Sequence, residues 1–118
     1  MSNRFFTISE ILAGIQEKDK AIKTIFHENE RTNGVLWYVP PGEEIPAHYH
    51  PETDDIWVVL EGEGEYYLEN GKSHQIKPGL VAVAAKEQIH GVKATGEKPL
   101  IVVAISAPMP VQMIKIDR

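Results

Sequence analysis

From residue 22 to residue 116 the chain is cut into short runs rich in β-branched and aromatic residues, each bounded by glycine, proline or asparagine. This punctuation limits the fold more than any other feature, because runs of about four to eight residues have the length of strands and not of packed helices. Ile22–His27, Val35–Val39, Asp55–Leu60, Glu65–Leu68, Leu80–Ala84, His90–Ala94, Leu100–Ile105 and Val111–Ile116 read as strands. Asn29–Gly34, which contains Asn33-Gly34, and the pair Asn70-Gly71 read as hairpin turns, where the backbone needs residues that tolerate positive φ. Pro40-Pro41-Gly42, Gly62 with Gly64, and Pro78-Gly79 break or bend the chain, and Pro108 and Pro110 set off the final run. Many short strands at such spacing predict an all-β sandwich or barrel. One short helix is expected ahead of them, over residues 7–16. Ile8, Ile11, Leu12 and Ile15 make one apolar face there, and Thr7 and Glu10 have the spacing of a capping box.

A chain of 118 residues, 42% of them hydrophobic, fits one domain spanning 1–118 with a real core. No linker or low-complexity tract divides it. The formal charge is −5, from 12 basic and 17 acidic residues, and no basic run of five or more occurs. Nucleic acid and anionic membranes are therefore poor partners. The absence of cysteine excludes disulfides, thiolate metal sites and cysteine nucleophiles. No apolar run approaches the roughly 20 residues that cross a bilayer. Residues 1–15 include Arg4 and Glu10 rather than a continuous apolar signal segment, so the cytoplasm is the expected compartment.

The chemistry-bearing residues are histidines. His48 and His50 are two positions apart, and on a strand positions i and i+2 share a face. Their Cα atoms then lie roughly 6.6 Å apart, twice the strand rise, so that two imidazoles can converge on one ion at about 2.0–2.1 Å. Two ligands rarely suffice, and His90, at the start of a strand after Pro78-Gly79, is the candidate third.

Gly42, five residues, His48-Tyr49-His50, four residues, Asp55, six residues and Gly62 together resemble the first motif of the cupin superfamily. Gly71, Pro78, Gly79, His90 and Gly91 resemble the second more loosely, with a longer gap before the histidine. The two motifs fall at 42–62 and 71–94, and the resemblance runs from about residue 20 to 106. It implies a small single-domain cupin: a double-stranded β-helix, a jelly-roll-like barrel, with a divalent metal ion held inside by His48, His50, Asp55 and His90. It also implies that the ion is one of Fe, Mn, Zn or Ni. Two departures stand out. Asp55 replaces the usual Glu, which shortens the side chain by about 1.5 Å. Either its strand shifts inward, or a water bridges, or the site is three histidines with open positions. Ala94 replaces the usual Asn.

By strand parity Trp57 and Val59 share the face of Asp55, so they are expected inside the barrel, either walling a substrate pocket beside the metal or filling the core. Trp37 and Tyr38 lie on opposite faces of one strand, and only one can point inward. Glu52 and Asp54 are expected in a solvent-facing turn, and His27 and His74 on the surface. Met109 and Met113 are expected in packing or an interface.

No nucleophile triad, phosphate loop or paired-carboxylate cleft is evident, and no catalytic residue beyond the metal ligands can be named. A metalloenzyme acting on a small organic molecule is one reading, either by dioxygen chemistry or as a Lewis-acid isomerase, lyase or decarboxylase. A ligand-binding or sensor domain without catalysis is the other. A homodimer is expected, with Val111, Met113, Ile114 and Ile116 as candidate contacts for a terminal strand against a second subunit.

Overall fold

A computed structural model describes residues 3–118. After the helix α1 (Ile8–Ala13) come ten strands. These are β1 (Ile22–Glu28), β2 (Asn33–Val39), β3 (Glu44–Tyr49), β4 (Asp54–Glu61) and β5 (Gly64–Tyr67), then β6 (Ser73–Ile76), β7 (Val81–Ala84), β8 (His90–Ala94), β9 (Leu100–Ala107) and β10 (Ile114–Lys115). They form two five-stranded antiparallel sheets, in the orders β1-β2-β9-β4-β7 and β10-β3-β8-β5-β6. Consecutive strands cross repeatedly from one sheet to the other, as a double-stranded β-helix requires.

The core lies between the sheets because one face of each strand alternates into it. Val35 and Val39 on β2, Trp57 and Val59 on β4, Leu100, Val102 and Ala104 on β9, Ile45 on β3 and Val92 on β8 all join one buried cluster. In register across the first sheet run Asp55–Ser106–Asn33 and, two residues along, Trp57–Ala104–Val35. The first of these rows is polar and the second apolar, so one end of the barrel interior is built for a polar site.

Several elements depart from their expected bounds. The helix stops at Ala13, with Gly14 as its C-cap, and the Thr7 side chain makes no capping hydrogen bond. Asn33-Gly34 is not a turn but the start of β2. The turn lies earlier, where Asn29 Oδ1 accepts from the backbone N–H groups of Arg31 and Thr32 at 2.8 and 2.9 Å. Gly34 is glycine for a different reason: a Cβ there would sit 2.7 Å from the Phe26 ring that packs on it. Asn70-Gly71 does turn, with φ of 60° and 71°, and joins β5 to β6. The terminal strand is reduced to Ile114–Lys115 and pairs with β3 of the same chain, so its backbone edge is used internally.

β3 runs further than the strand geometry read for His48 and His50, and it passes through Pro46, which cannot donate to a ladder. It survives because its register with β8 slips between Ile45 and His48, which leaves Pro46 in a β-bulge. Opposite the bulge stands Gly91, with φ +146°. A Cβ there would lie 2.7 and 2.8 Å from the carbonyl oxygens of Ile45 and Pro46. The bulge and the missing side chain fit each other, and together they aim His48 inward.

Candidate metal centre

His48 stands near the end of β3, His50 immediately beyond it, His90 at the start of β8 directly opposite His48, and Asp55 on β4 of the other sheet. All four are buried. One nitrogen of each histidine lies within 4.8 Å of one nitrogen of each of the others, a cluster that could hold a metal ion. Asp55 closes one side of it: its Oδ2 is 3.1 Å from His90 Nε2 and 3.4 Å from His50 Nε2.

The backbone decides which nitrogens face inward. His48 Nδ1–H donates to the Pro46 carbonyl at 2.7 Å, His50 Nδ1–H to that of Gln112 at 2.7 Å, and His90 Nδ1–H to that of Gln88 at 3.2 Å. With each Nδ1 protonated, each neutral ring turns a bare Nε2 lone pair into the cluster. His50 Nε2 and His90 Nε2 are 3.2 Å apart, and the Asp55 carboxylate faces both. Acceptors packed this closely repel unless a proton or a metal cation lies among them, and three imidazoles with a carboxylate are a donor set suited to a divalent transition metal. The residues fit such an ion on the chemistry of their donors.

The titration behaviour follows from the same packing. Burial, helped by the neighbouring His90, pushes His48 down to about 4. Burial also opposes the charged form of His50. The hydrogen bonds to Asp55 and to the Gln112 carbonyl outweigh it, and its pKa is raised. Burial would raise Asp55, but His50 and His90 hold its carboxyl well below the usual range. Ser106 Oγ donates to Asp55 Oδ1 at 3.2 Å. The Trp57 indole N–H favours the carboxylate from nearby without forming a hydrogen bond.

Beside the cluster is a cavity of about 50 Å³, room for an ion and a few waters. Its wall includes Trp57, Val35, Ile45 and Ala104 from the strands, and Val111 and Met113 from the C-terminal segment. Trp57 also stacks edge-on to His90 and Tyr66, at centroid distances of 6.0 and 5.3 Å. Val59 shares its parity but not the cavity, being core rather than wall. The Trp37/Tyr38 alternative resolves in favour of Trp37, which borders the cavity, while Tyr38 OH donates to the Lys18 carbonyl at 3.3 Å. His27 and His74 are exposed and away from the cluster, engaged with Thr32 Oγ1 and the Gln75 carbonyl. Glu52 and Asp54 are exposed, and Asp54 Oδ1 accepts from the Lys86 N–H.

Ser106 and the Gln112 carbonyl escaped the sequence reading. Ser106 was legible as the one polar residue in the inward series Leu100, Val102, Ala104, Ser106. Nothing in the sequence marks a backbone carbonyl as an orienting group. Gln112 reaches the site because Thr53, buried, donates its hydroxyl to the Pro108 carbonyl at 2.8 Å and β10 pairs with β3.

The family described as Cupin domain matches residues 35–106, and the chain belongs to it. Its fold superposes with a TM-score of 0.90 on an uncharacterized conserved double-stranded β-helix protein from Klebsiella pneumoniae. The two are 31% identical over 99% of this chain and 100% of that one. An uncharacterized protein of Aquifex aeolicus is 29% identical over 103 residues, 84% of this chain and 83% of its own. An oxalate-binding protein of Thermotoga maritima is 33% identical over 67 residues, 57% of this chain and 54% of its own.

Proposed function

We propose that this cupin binds one divalent ion, Fe, Mn, Zn or Ni, through Nε2 of His48, His50 and His90 with Asp55 as a fourth ligand, and uses the remaining positions to bind and transform a small organic molecule. The observation that carries this is the inward set of bare Nε2 atoms, fixed by three Nδ1–H bonds to backbone carbonyls. Such outer bonds orient metal-binding histidines. An ion there would supply Lewis-acid polarisation or dioxygen activation. The chain's own part is to orient the ligand set, to exclude water with Trp57, Ile45, Val111 and Met113, and to admit only small molecules to the narrow cavity. Asp55 approaches the cluster from the opposite sheet with Oδ2 3.1 Å from His90 Nε2, which supports direct ligation over a water bridge.

A non-catalytic binding role is the second reading. It is favoured by the likeness to an oxalate-binding protein and by a wall that is mostly apolar. Turnover against binding alone, with Fe, Mn, Ni or Zn loaded in turn, separates the two. In either reading we propose a cytoplasmic homodimer. The outer face of the first sheet carries exposed Ile56, Val81, Val83 and Ile105, which a second copy would cover better than the short β10. Among the described residues no helix is long and apolar enough to cross a membrane.

The test of the metal reading is elemental analysis of protein purified without added metal. His48→Ala, His50→Ala and His90→Ala should each reduce metal content to a small fraction of the native protein's. Full occupancy in His90→Ala refutes the assignment.

A further inference from the structure

Lys23 lies on the edge strand β1, directly across from Trp37 on β2, and both side chains border the metal cavity. Its Nζ stands 6.0 Å from the Trp37 ring centroid, at the outer limit of a cation–π contact. Among the described residues no carboxylate lies within ion-pair distance of it. The other ionisable groups on that wall are His48, His50 and Asp55. Asp55 is already engaged by His50, His90 and Ser106. Trp57, 1% exposed, has a buried Nε1–H that forms no hydrogen bond and favours the Asp55 carboxylate from nearby.

The cavity thus has an exposed, unpaired ammonium at its mouth, beside a cluster suited to a divalent cation, while the Trp57 indole N–H is turned toward Asp55. With that cation in place, one Asp55 carboxylate leaves the pocket with excess positive charge, and charge in a confined site is costly unless it is compensated. A neutral diol or ketone supplies oxygen atoms but no charge. An organic carboxylate supplies both, with oxygen atoms for the ion and for the Lys23 ammonium.

We propose that Lys23 is the specificity-determining residue of this site, and that it selects small organic carboxylates over neutral oxygen chelators of the same size. This rests on the metal reading given above and goes beyond it by naming the ligand class and the residue that chooses it. A charged lysine on an edge strand also discourages pairing with another chain. That role needs no ligand and predicts no preference among ligands, so the two are separable.

The experiment uses the full chain loaded with Mn(II), with bound metal counted first. Glycolate and pyruvate are titrated as carboxylates and hydroxyacetone as their neutral counterpart, binding being read from displacement of water at the Mn(II) by proton relaxation. Carboxylates bind metal ions well by themselves, so the readout is the change caused by Lys23→Gln. Carboxylate affinity should fall about tenfold while hydroxyacetone affinity and metal content stay the same, and Lys23→Arg should retain most of the carboxylate affinity. Carboxylate affinity within twofold of native in a fully metal-loaded Lys23→Gln protein overturns the proposal and leaves the metal site standing. Failure of the metal-loaded native protein to bind either carboxylate overturns it too. Failure to bind metal at all overturns the metal reading, and this proposal with it.

Discussion

Gly91 ties the fold to the site more directly than any residue of the histidine cluster, and Gly91→Ala puts a number on that coupling. Its backbone sits at φ +146°, a region L-residues avoid, and such strain costs about 1–3 kcal/mol. The new Cβ would also meet the Ile45 and Pro46 carbonyl oxygens at 2.7 and 2.8 Å, against an ordinary carbon–oxygen approach of roughly 3.3 Å or more. The β3 bulge must therefore retreat by about half an ångström, and overpacking of that kind costs a further ~1–3 kcal/mol. The combined loss is about 2–6 kcal/mol. For a chain of this length the unfolding entropy converts 1 kcal/mol to about 4 °C, so Tm should fall by roughly 8–24 °C. The displaced Pro46 carbonyl is the acceptor for His48 Nδ1–H, so metal affinity should fall about 10- to 100-fold as well. Thermal melts by circular dichroism on metal-free protein and competition with a chromophoric chelator measure the two effects. Gly79→Ala is the control: its φ is also positive, at +92°, but a Cβ there meets nothing within 4 Å. It should lose about 1 kcal/mol and no metal affinity. A Gly91→Ala protein that melts within 3 °C or so of native and binds metal normally would refute the idea that the bulge positions His48.

Asp55→Asn should lower metal affinity by about 10- to 100-fold by removing a carboxylate from the cluster, and Asp55→Glu should also weaken binding, since Oδ2 already reaches both Nε2 atoms; chelator competition decides, and tighter binding by Asp55→Glu would mean that a water bridges in the native protein. Metal affinity should decline as pH falls from about 7 to 5, because His50, with its raised pKa, must lose its proton to bind. In metal-free protein the two histidines act with opposite signs. His48, lowered to about 4 in the folded state, gives stability that is intact above pH 6.5 and lost between 6.5 and 4, whereas raised His50 adds stability as pH falls. Urea unfolding at pH 7 and pH 5 should therefore show a smaller acid loss in His48→Gln than in native protein and a larger one in His50→Gln. Removal of residues 108–118 should leave a folded protein with about 10- to 100-fold weaker metal binding, since the Gln112 carbonyl that orients His50 is gone.

The local code carried much of this protein. Strand runs such as His90–Ala94 fell where turn residues and β-branched content put them, because hairpin chemistry and period-2 alternation act over a few residues. His48-x-His50 announced itself for the same reason: two imidazoles on one face need only strand geometry. Trp57 inside and His27 and His74 outside followed from parity and local polarity. What stayed hidden depends on chain segments that meet only in three dimensions. The passage of β3 through Pro46 depends on β8, which supplies a glycine that accepts its bulge. Asn33-Gly34 looks like a turn until the Phe26 ring is seen lying on Gly34. The choice between Trp37 and Tyr38, the exclusion of Val59 from the cavity wall, and the arrival of Lys23 at its mouth are set by which sheet covers which. The carbonyls of Pro46, Gln88 and Gln112 hold the three rings, and a carbonyl carries no residue-specific mark. Side-chain pattern told which residues gather in the cluster; backbone packing decided where their rings point.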